Sequence, residues 1–126
     1  MTVAVLASIA GATTTPGSSP LFVSVNPTSA NGTSTGGGDC TSNFLTVSVS
    51  GGIGPYTYAW TKVSGDTMST SDHDGPVTSF TATLTINQSK YAVYRCTVTD
   101  SVGNVNSVDA SILLFDITYE GGVNIF

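Results

Sequence analysis

The run Tyr94-Arg95-Cys96-Thr97-Val98-Thr99-Asp100, set against Trp60, constrains this chain most; Trp60 is its only tryptophan. Side chains alternate across an extended strand with period 2, so Tyr94, Cys96 and Val98 share one face. Trp60 closes a second alternation, Tyr56, Tyr58, Trp60. Bulky rows on separate strands must be buried against another layer of structure. More rows follow the same period: Leu45, Val47, Val49; Phe80, Ala82, Leu84, Ile86; Val108, Ala110, Ile112, Leu114. Turn residues punctuate them at Gly51-Gly52, Ser64-Gly65-Asp66, Asp72-His73-Asp74-Gly75-Pro76 and Asp100-Ser101-Val102-Gly103-Asn104. No stretch sustains a 3.6-residue apolar period, so the chain reads as all-β.

Outside these rows the pattern weakens. Leu21 to Val25 reads as a first strand, closed by Asn26-Pro27. Residues 28–39 are rich in Ser, Thr, Asn and Gly and read as a loop. Its length inside a compact domain suggests a functional or flexible loop. Residues 66–78 hold a short strand at best, around Met68. The expected organisation is an N-terminal arm at 1–20, a sandwich at 21–115 and a C-terminal arm at 116–126. Val3, Val5, Leu6 and Ile9 in one arm are apolar, as are Ile117, Tyr119, Val123, Ile125 and Phe126 in the other. Apolar residues outside a sandwich must bury against something. The arms are therefore expected to attach the chain to an assembly, by adding strands to a partner's sheet edge.

Apolar residues make up 40% of the chain, enough for a core. Charged residues make up 9%, against a usual fraction of about 25%. The polar surface must then be Ser, Thr, Asn and Gly, which suits extracellular or virion β-proteins and not a disordered chain. The net charge is −5, with three basic residues. Three cations cannot neutralise a run of phosphates, which argues against nucleic acid and against anionic membrane surfaces. Val3 to Ala12 is apolar, but no Lys or Arg precedes it and it is shorter than the ~20 residues that span a bilayer. It is read as a retained segment rather than a cleaved leader.

Across about residues 20–115 the chain resembles the immunoglobulin-like superfamily. Leu84-Thr85-Ile86 before Tyr94-x-Cys96 is similar to that family's E and F strands, and Trp60 matches its C-strand tryptophan. The resemblance implies a sandwich of about seven strands, with a tyrosine-corner hydroxyl at Tyr94 bonded to upstream backbone. It also implies Trp60 packed between the sheets against Cys96 and Val47. Val47 stands where the partner cysteine of the B strand would be, and Lys90 stands where an acidic residue is common. Gly51-Gly52-Ile53-Gly54-Pro55-Tyr56 and Val98-Thr99-Asp100-Ser101-Val102-Gly103-Asn104 also resemble PKD-like repeats of bacterial surface proteins. They resemble, too, the immunoglobulin-like domains attached to tailed-phage capsid and tail proteins. The PKD signature Trp-x-Phe-Gly-Asp is not kept in Trp60-Thr61-Lys62-Val63-Ser64-Gly65-Asp66, which favours the phage-type family.

Candidate chemistry is sparse. Cys40 lies on the opposite parity from Leu45, Val47 and Val49, so no disulfide to Cys96 is expected unless a bulge shifts the register before Phe44. His73, the only histidine, is flanked by Asp72 and Asp74 without a serine motif beside it, and reads as a solvated turn. Asp72, Asp74 and Gly75 fall short of a calcium loop. Two cysteines and a distant histidine do not make a zinc set. Tyr58 reads as core and Tyr56 as a cap on the sandwich end. Asn31-Gly32-Thr33 and Asn87-Gln88-Ser89 match a glycosylation sequon that arises by chance in such a composition.

The resemblance implies a non-enzymatic virion protein of a tailed bacteriophage, assembled in the host cytoplasm and displayed on the virion surface. No catalytic, cofactor-binding or metal-binding residue is expected. Expected partners are major capsid or tail proteins and further copies of the chain, with host surface glycans as an additional ligand class. The alternative is a secreted or surface adhesion or carbohydrate-binding module.

Overall fold

The computed structural model describes residues 20–118. Ten strands follow in order: β1 (Phe22–Asn26), β2 (Ser29–Ser34), β3 (Gly38–Thr41), β4 (Leu45–Ser50), β5 (Thr57–Gly65), β6 (Ser69–Thr70), β7 (Val77–Thr78), β8 (Phe80–Leu84), β9 (Ser89–Thr99) and β10 (Val105–Asp116). One layer is the four-stranded sheet β2-β10-β9-β5. The other joins the ladders β1-β4-β7 and β3-β8-β6. In this second layer β3 runs on into β4, and β7 into β8. The ladders stay in step across both breaks: Thr41 pairs with Thr81 and Leu45 with Thr78, and the Ser42 N–H donates to the Phe80 carbonyl at 2.8 Å. The molecule is an all-β, immunoglobulin-like sandwich.

The break in the first strand corrects one expectation. Four steps from Thr41 to Leu45 face three from Thr81 to Thr78, so one residue is extra. Such a bulge reverses the in–out alternation. Cys40 therefore points into the core beside Leu45 and Val47, with all three buried. Even so, Cys40 and Cys96 are both free thiols. Cys40 pairs with Ala82 on β8, while Cys96 pairs with Trp60 and Val108 in the opposite sheet.

A second correction concerns residues 28–39, which hold all of β2 and the start of β3 rather than a loop. The chain pairs with β4 as β1, crosses at Pro27, and joins the other sheet as β2, parallel to β10. Proline has no N–H to give a ladder, so the crossing falls where β1 must end anyway. Asn43, between β3 and β4, ties β2 to the second layer: its side chain accepts from the Asn31 N–H at 3.0 Å and its own N–H donates to the Asn31 carbonyl at 3.2 Å. On the far side the turn that carries His73 meets β5 at one point, where the His73 carbonyl accepts from the Trp60 N–H at 3.0 Å.

Aromatic rings fill the centre. Trp60 and Phe80 meet edge to face at 5.6 Å, and Phe80 and Tyr94 lie 4.7 Å apart. Phe80, Leu45, Ala92, Cys96, Val98, Ile112 and Leu114 are fully enclosed around them. Burying each large apolar side chain contributes roughly 1.5–3 kcal/mol.

Candidate functional site

Each core signature residue has a defined partner. Trp60 is buried, its indole N–H donates to the Gly75 carbonyl at 3.0 Å, and its cross-strand neighbour is Cys96. The ring packed on it is Phe80 rather than a disulfide. Val47 is buried on β4. The Tyr94 hydroxyl donates to the Met68 carbonyl at 3.0 Å and accepts from the Met68 N–H at 2.9 Å. Its bond reaches the segment before β6, across the sandwich, and not the turn just ahead of β9. Burial pushes the Cys96 thiol up to about 11, against a smaller downward pull from the backbone at Ala59. A thiol with so little thiolate at neutral pH is a poor nucleophile.

Two buried carboxylates hold the ends of the sandwich. Asp100 ends β9 and is 5% exposed. One of its oxygens accepts from the Val102 and Asn104 N–H groups at 3.0 and 2.8 Å. The other accepts from the Ile53 N–H at 3.1 Å and the Asn104 side chain at 2.9 Å. One side chain thus joins the β4–β5 turn to the β9–β10 turn. Burial pulls its pKa upward, and the bonds from Asn104, Ile53 and Val102 outweigh that and hold it below the usual value. Asp116 does the same at the other end. It accepts from the Thr118 hydroxyl and from the Thr118 and Asn87 N–H groups with one oxygen, and from Gly37 N–H and the Ser34 hydroxyl with the other. The Thr118 hydroxyl leads in lowering its pKa; burial opposes, and Asn87, Gly37 and Ser34 add to the lowering. The segment 116–118 is therefore tied to the sandwich, and the Ile117 N–H donates to Ser34 at 2.8 Å.

The chain enters and leaves at opposite ends. Leu21 sits at the Asp100 end, where its carbonyl accepts from the Asn106 side chain at 2.8 Å at the start of β10. Thr118 sits at the Asp116 end, past the last residue of the twelve in β10.

The outer faces differ. On the four-stranded sheet, Tyr91 and Leu113 are cross-strand partners and are 50% and 40% exposed. Val93 and Phe115 lie diagonally beside them on the same face, half-buried. Further along, Arg95 clamps Asp109 with two bonds of 2.7 and 3.1 Å. On the other layer, Phe22 is 60% exposed and borders a shallow depression with Ser24, Ser48 and Ser50.

Of the residues expected to form assembly arms, Ile117 is 44% exposed at the Asp116 end. Val3, Val5, Leu6, Ile9, Tyr119, Val123, Ile125 and Phe126 lie outside the described residues. His73 and Asp74 contact each other at 3.3 Å with both side chains largely exposed. Among the described residues no group of three or more His, Cys, Asp or Glu side chains could hold a metal ion. Sequence reasoning missed the roles of Asp100 and Asp116. For Asp100 a signal existed, since an Asp that opens a turn bonds the backbone two residues on, here the Val102 N–H. For Asp116 the local sequence shows only its bond to Thr118, two residues on; Ser34 and Gly37, which tie it to the rest of the sandwich, stand 82 and 79 residues away.

No family model matches the chain, and no curated protein matches it. Among solved structures it is similar to a nucleoside hydrolase-related hypothetical protein from Saccharophagus degradans that is associated with carbohydrate metabolism. Identity is 14% over 79% of this chain and 26% of that one, with a TM-score of 0.52. The chain thus spans about a quarter of that protein's length, and the likeness speaks to the fold alone. It is also similar to the N-terminal Ig1-2 module of the Drosophila receptor protein tyrosine phosphatase DLAR. There identity is 17%, over 79% of this chain and 50% of that one, with a TM-score of 0.39, too low to carry an argument.

Proposed function

We propose that this chain is a non-enzymatic structural protein of a tailed-bacteriophage virion, an immunoglobulin-like module displayed on the capsid or tail surface and attached by its terminal segments. One observation carries the reading: the chain passes from one end of a stapled sandwich to the other, with apolar sequence beyond both exits. A module built this way can hold a neighbour at each end while its faces stay free. Its partners are then major capsid or tail proteins, met by residues 1–19 and 119–126. The sparse charge and the resemblance to phage-attached immunoglobulin-like domains support the same reading.

The test uses virions of a phage deleted for this chain. The full chain is expected to bind them, and a 20–118 fragment is expected to fold but fail to bind. Equal binding by the fragment would move the anchor to the sandwich itself. No binding by either would remove the virion reading.

A second reading is a surface adhesion or carbohydrate-binding module. The depression beside Phe22 favours it, since an aromatic ring can take a sugar's apolar face while Ser24, Ser48 and Ser50 meet its hydroxyls. Binding of neutral glycans that disappears in Phe22→Ala, without virion binding by the full chain, would select this reading.

A further inference from the structure

We propose that the outer face of the second layer, along β1 and β4, binds an extended neutral polysaccharide between two aromatic rings, Phe22 and Phe44. This site extends the carbohydrate-binding reading of the Phe22 depression, on which it rests, by a second ring, a length and a charge preference. Phe22 is 60% exposed and Phe44 59%. Cross-strand partners share a face, so Phe22 lies beside Ser50, Ser24 beside Ser48 and Asn26 beside Thr46, all turned to solvent. Phe44 stands one residue before β4, in step with the outward positions Thr46, Ser48 and Ser50. From Phe44 to Ser50 the strand runs roughly 20 Å, at ~3.3 Å per residue.

The hydroxyls single out this strip. Elsewhere on the same face they are engaged: Thr41 and Thr81 meet at 2.8 Å, Thr83 donates to Asp39 at 2.8 Å, and Ser69 donates to the Thr81 carbonyl at 3.3 Å. Among the described residues the hydroxyls of Ser24, Thr46, Ser48 and Ser50 meet no such partner and face solvent. Each can donate one bond and accept two, which suits the hydroxyls of a sugar. A sugar ring also has apolar C–H faces, and these stack on an aromatic side chain. Val77, 43% exposed, pairs with Thr46 and widens the apolar end at Phe44. The hydroxyl strip separates that end from Phe22, so the two rings form no contiguous apolar patch of the kind that takes a protein.

Charge sets the class of glycan. The chain's three basic residues, Lys62, Lys90 and Arg95, all lie on β5 and β9 of the other sheet. The strip therefore has no cation for the carboxylate of an acidic sugar. Asp39 on β3 and exposed Asp72 and Asp74 in the turn ahead of β7 add negative charge to the same layer. A carboxylate desolvated there without a partner is costly, whereas a neutral glycan loses nothing.

Phe44 is also held in place. Ser42 donates to the Asn43 carbonyl at 2.8 Å and accepts from the Phe80 N–H at 3.0 Å, and the Asn43 side chain donates to the Phe44 carbonyl at 3.3 Å. Bulges re-aim side chains in this way, and a fixed backbone gives up little freedom on binding.

The experiment probes an array of neutral and acidic oligosaccharides, from mono- to hexasaccharides, with the full chain, then titrates the tightest-bound neutral hexasaccharide by calorimetry. Binding is expected for neutral members alone, rising at least about tenfold from disaccharide to hexasaccharide. Phe22→Ala and Phe44→Ala should each lower hexasaccharide affinity by at least about tenfold, since aromatic anchors dominate binding. Both rings are exposed, so melting should not change. Tyr91→Ala, on the other sheet, should leave binding as it is. Loss in Phe22→Ala with none in Phe44→Ala would leave a one-ring site at the depression and overturn the strip, while the carbohydrate reading stands. Acidic glycans bound as tightly as neutral ones would also overturn the proposal. No binding to any member of the array would remove the carbohydrate reading and the strip together.

Discussion

At the residue scale, the side chains that matter most are those bonded across long sequence distance. Tyr94 satisfies both backbone groups of buried Met68. Tyr94→Phe leaves both unpaired and is expected to cost about 1–3 kcal/mol, read from the urea midpoint. Trp60→Ala removes the ring that meets Phe80 and should cost about 3–5 kcal/mol, enough to unfold much of the population on warming. Asp100 and Asp116 predict the response to acid. Each has a folded pKa below its unfolded value of roughly 3.9. Their contribution is therefore complete above that value and is lost as pH falls through it toward the lower folded value. In urea titrations Asp116→Asn should be less stable than wild type near neutral pH, and the gap should narrow at about pH 3. A constant gap would show that the carboxylate's charge plays no part. The Trp60 and Tyr94 positions were legible in the sequence because burial imposes period 2 locally. The partner of Tyr94, and those of Asp116 other than Thr118, were not, because they depend on how distant segments meet.

At the element scale, two features escaped the alternation. The bulge between β3 and β4 arises from the pairing of two strands, and neither strand alone records a one-residue mismatch. β2 reads Ser-Ala-Asn-Gly-Thr-Ser and carries one fully buried apolar side chain, Ala30, because it is held by backbone bonds to β10 and not by an apolar row. Gly32 explains part of that composition. A Cβ there would strike the Thr41 carbonyl, which is backbone and cannot swing aside. Gly32→Ala should push β2 off the sandwich and cost about 1–3 kcal/mol, with faster amide exchange along β2. His73→Ala makes the opposite test on the β5 side. Its carbonyl, not its ring, covers Trp60, so stability should stay within about 0.5 kcal/mol of wild type.

At the scale of the whole molecule, the sandwich encloses two free cysteines. Neither thiol of the native chain should react with iodoacetamide, and both should react after denaturation, as mass spectrometry would record; rapid native alkylation would mean an open core. A 20–118 fragment should melt as the full chain does, because every bond of Asp116 lies within it. The entry and exit points have a mechanical consequence. Tension applied between the two termini draws β2 toward the Asp100 end and β10 toward the Asp116 end. These strands are parallel neighbours over six residue pairs, so they are loaded along their length, in shear. Ladder bonds lie across that direction, and they must rupture together rather than unzip one at a time. A chain pulled by its ends should thus resist as a clamp, and peeling Gly32→Ala from β10 should lower the rupture force far more than it lowers the melting temperature.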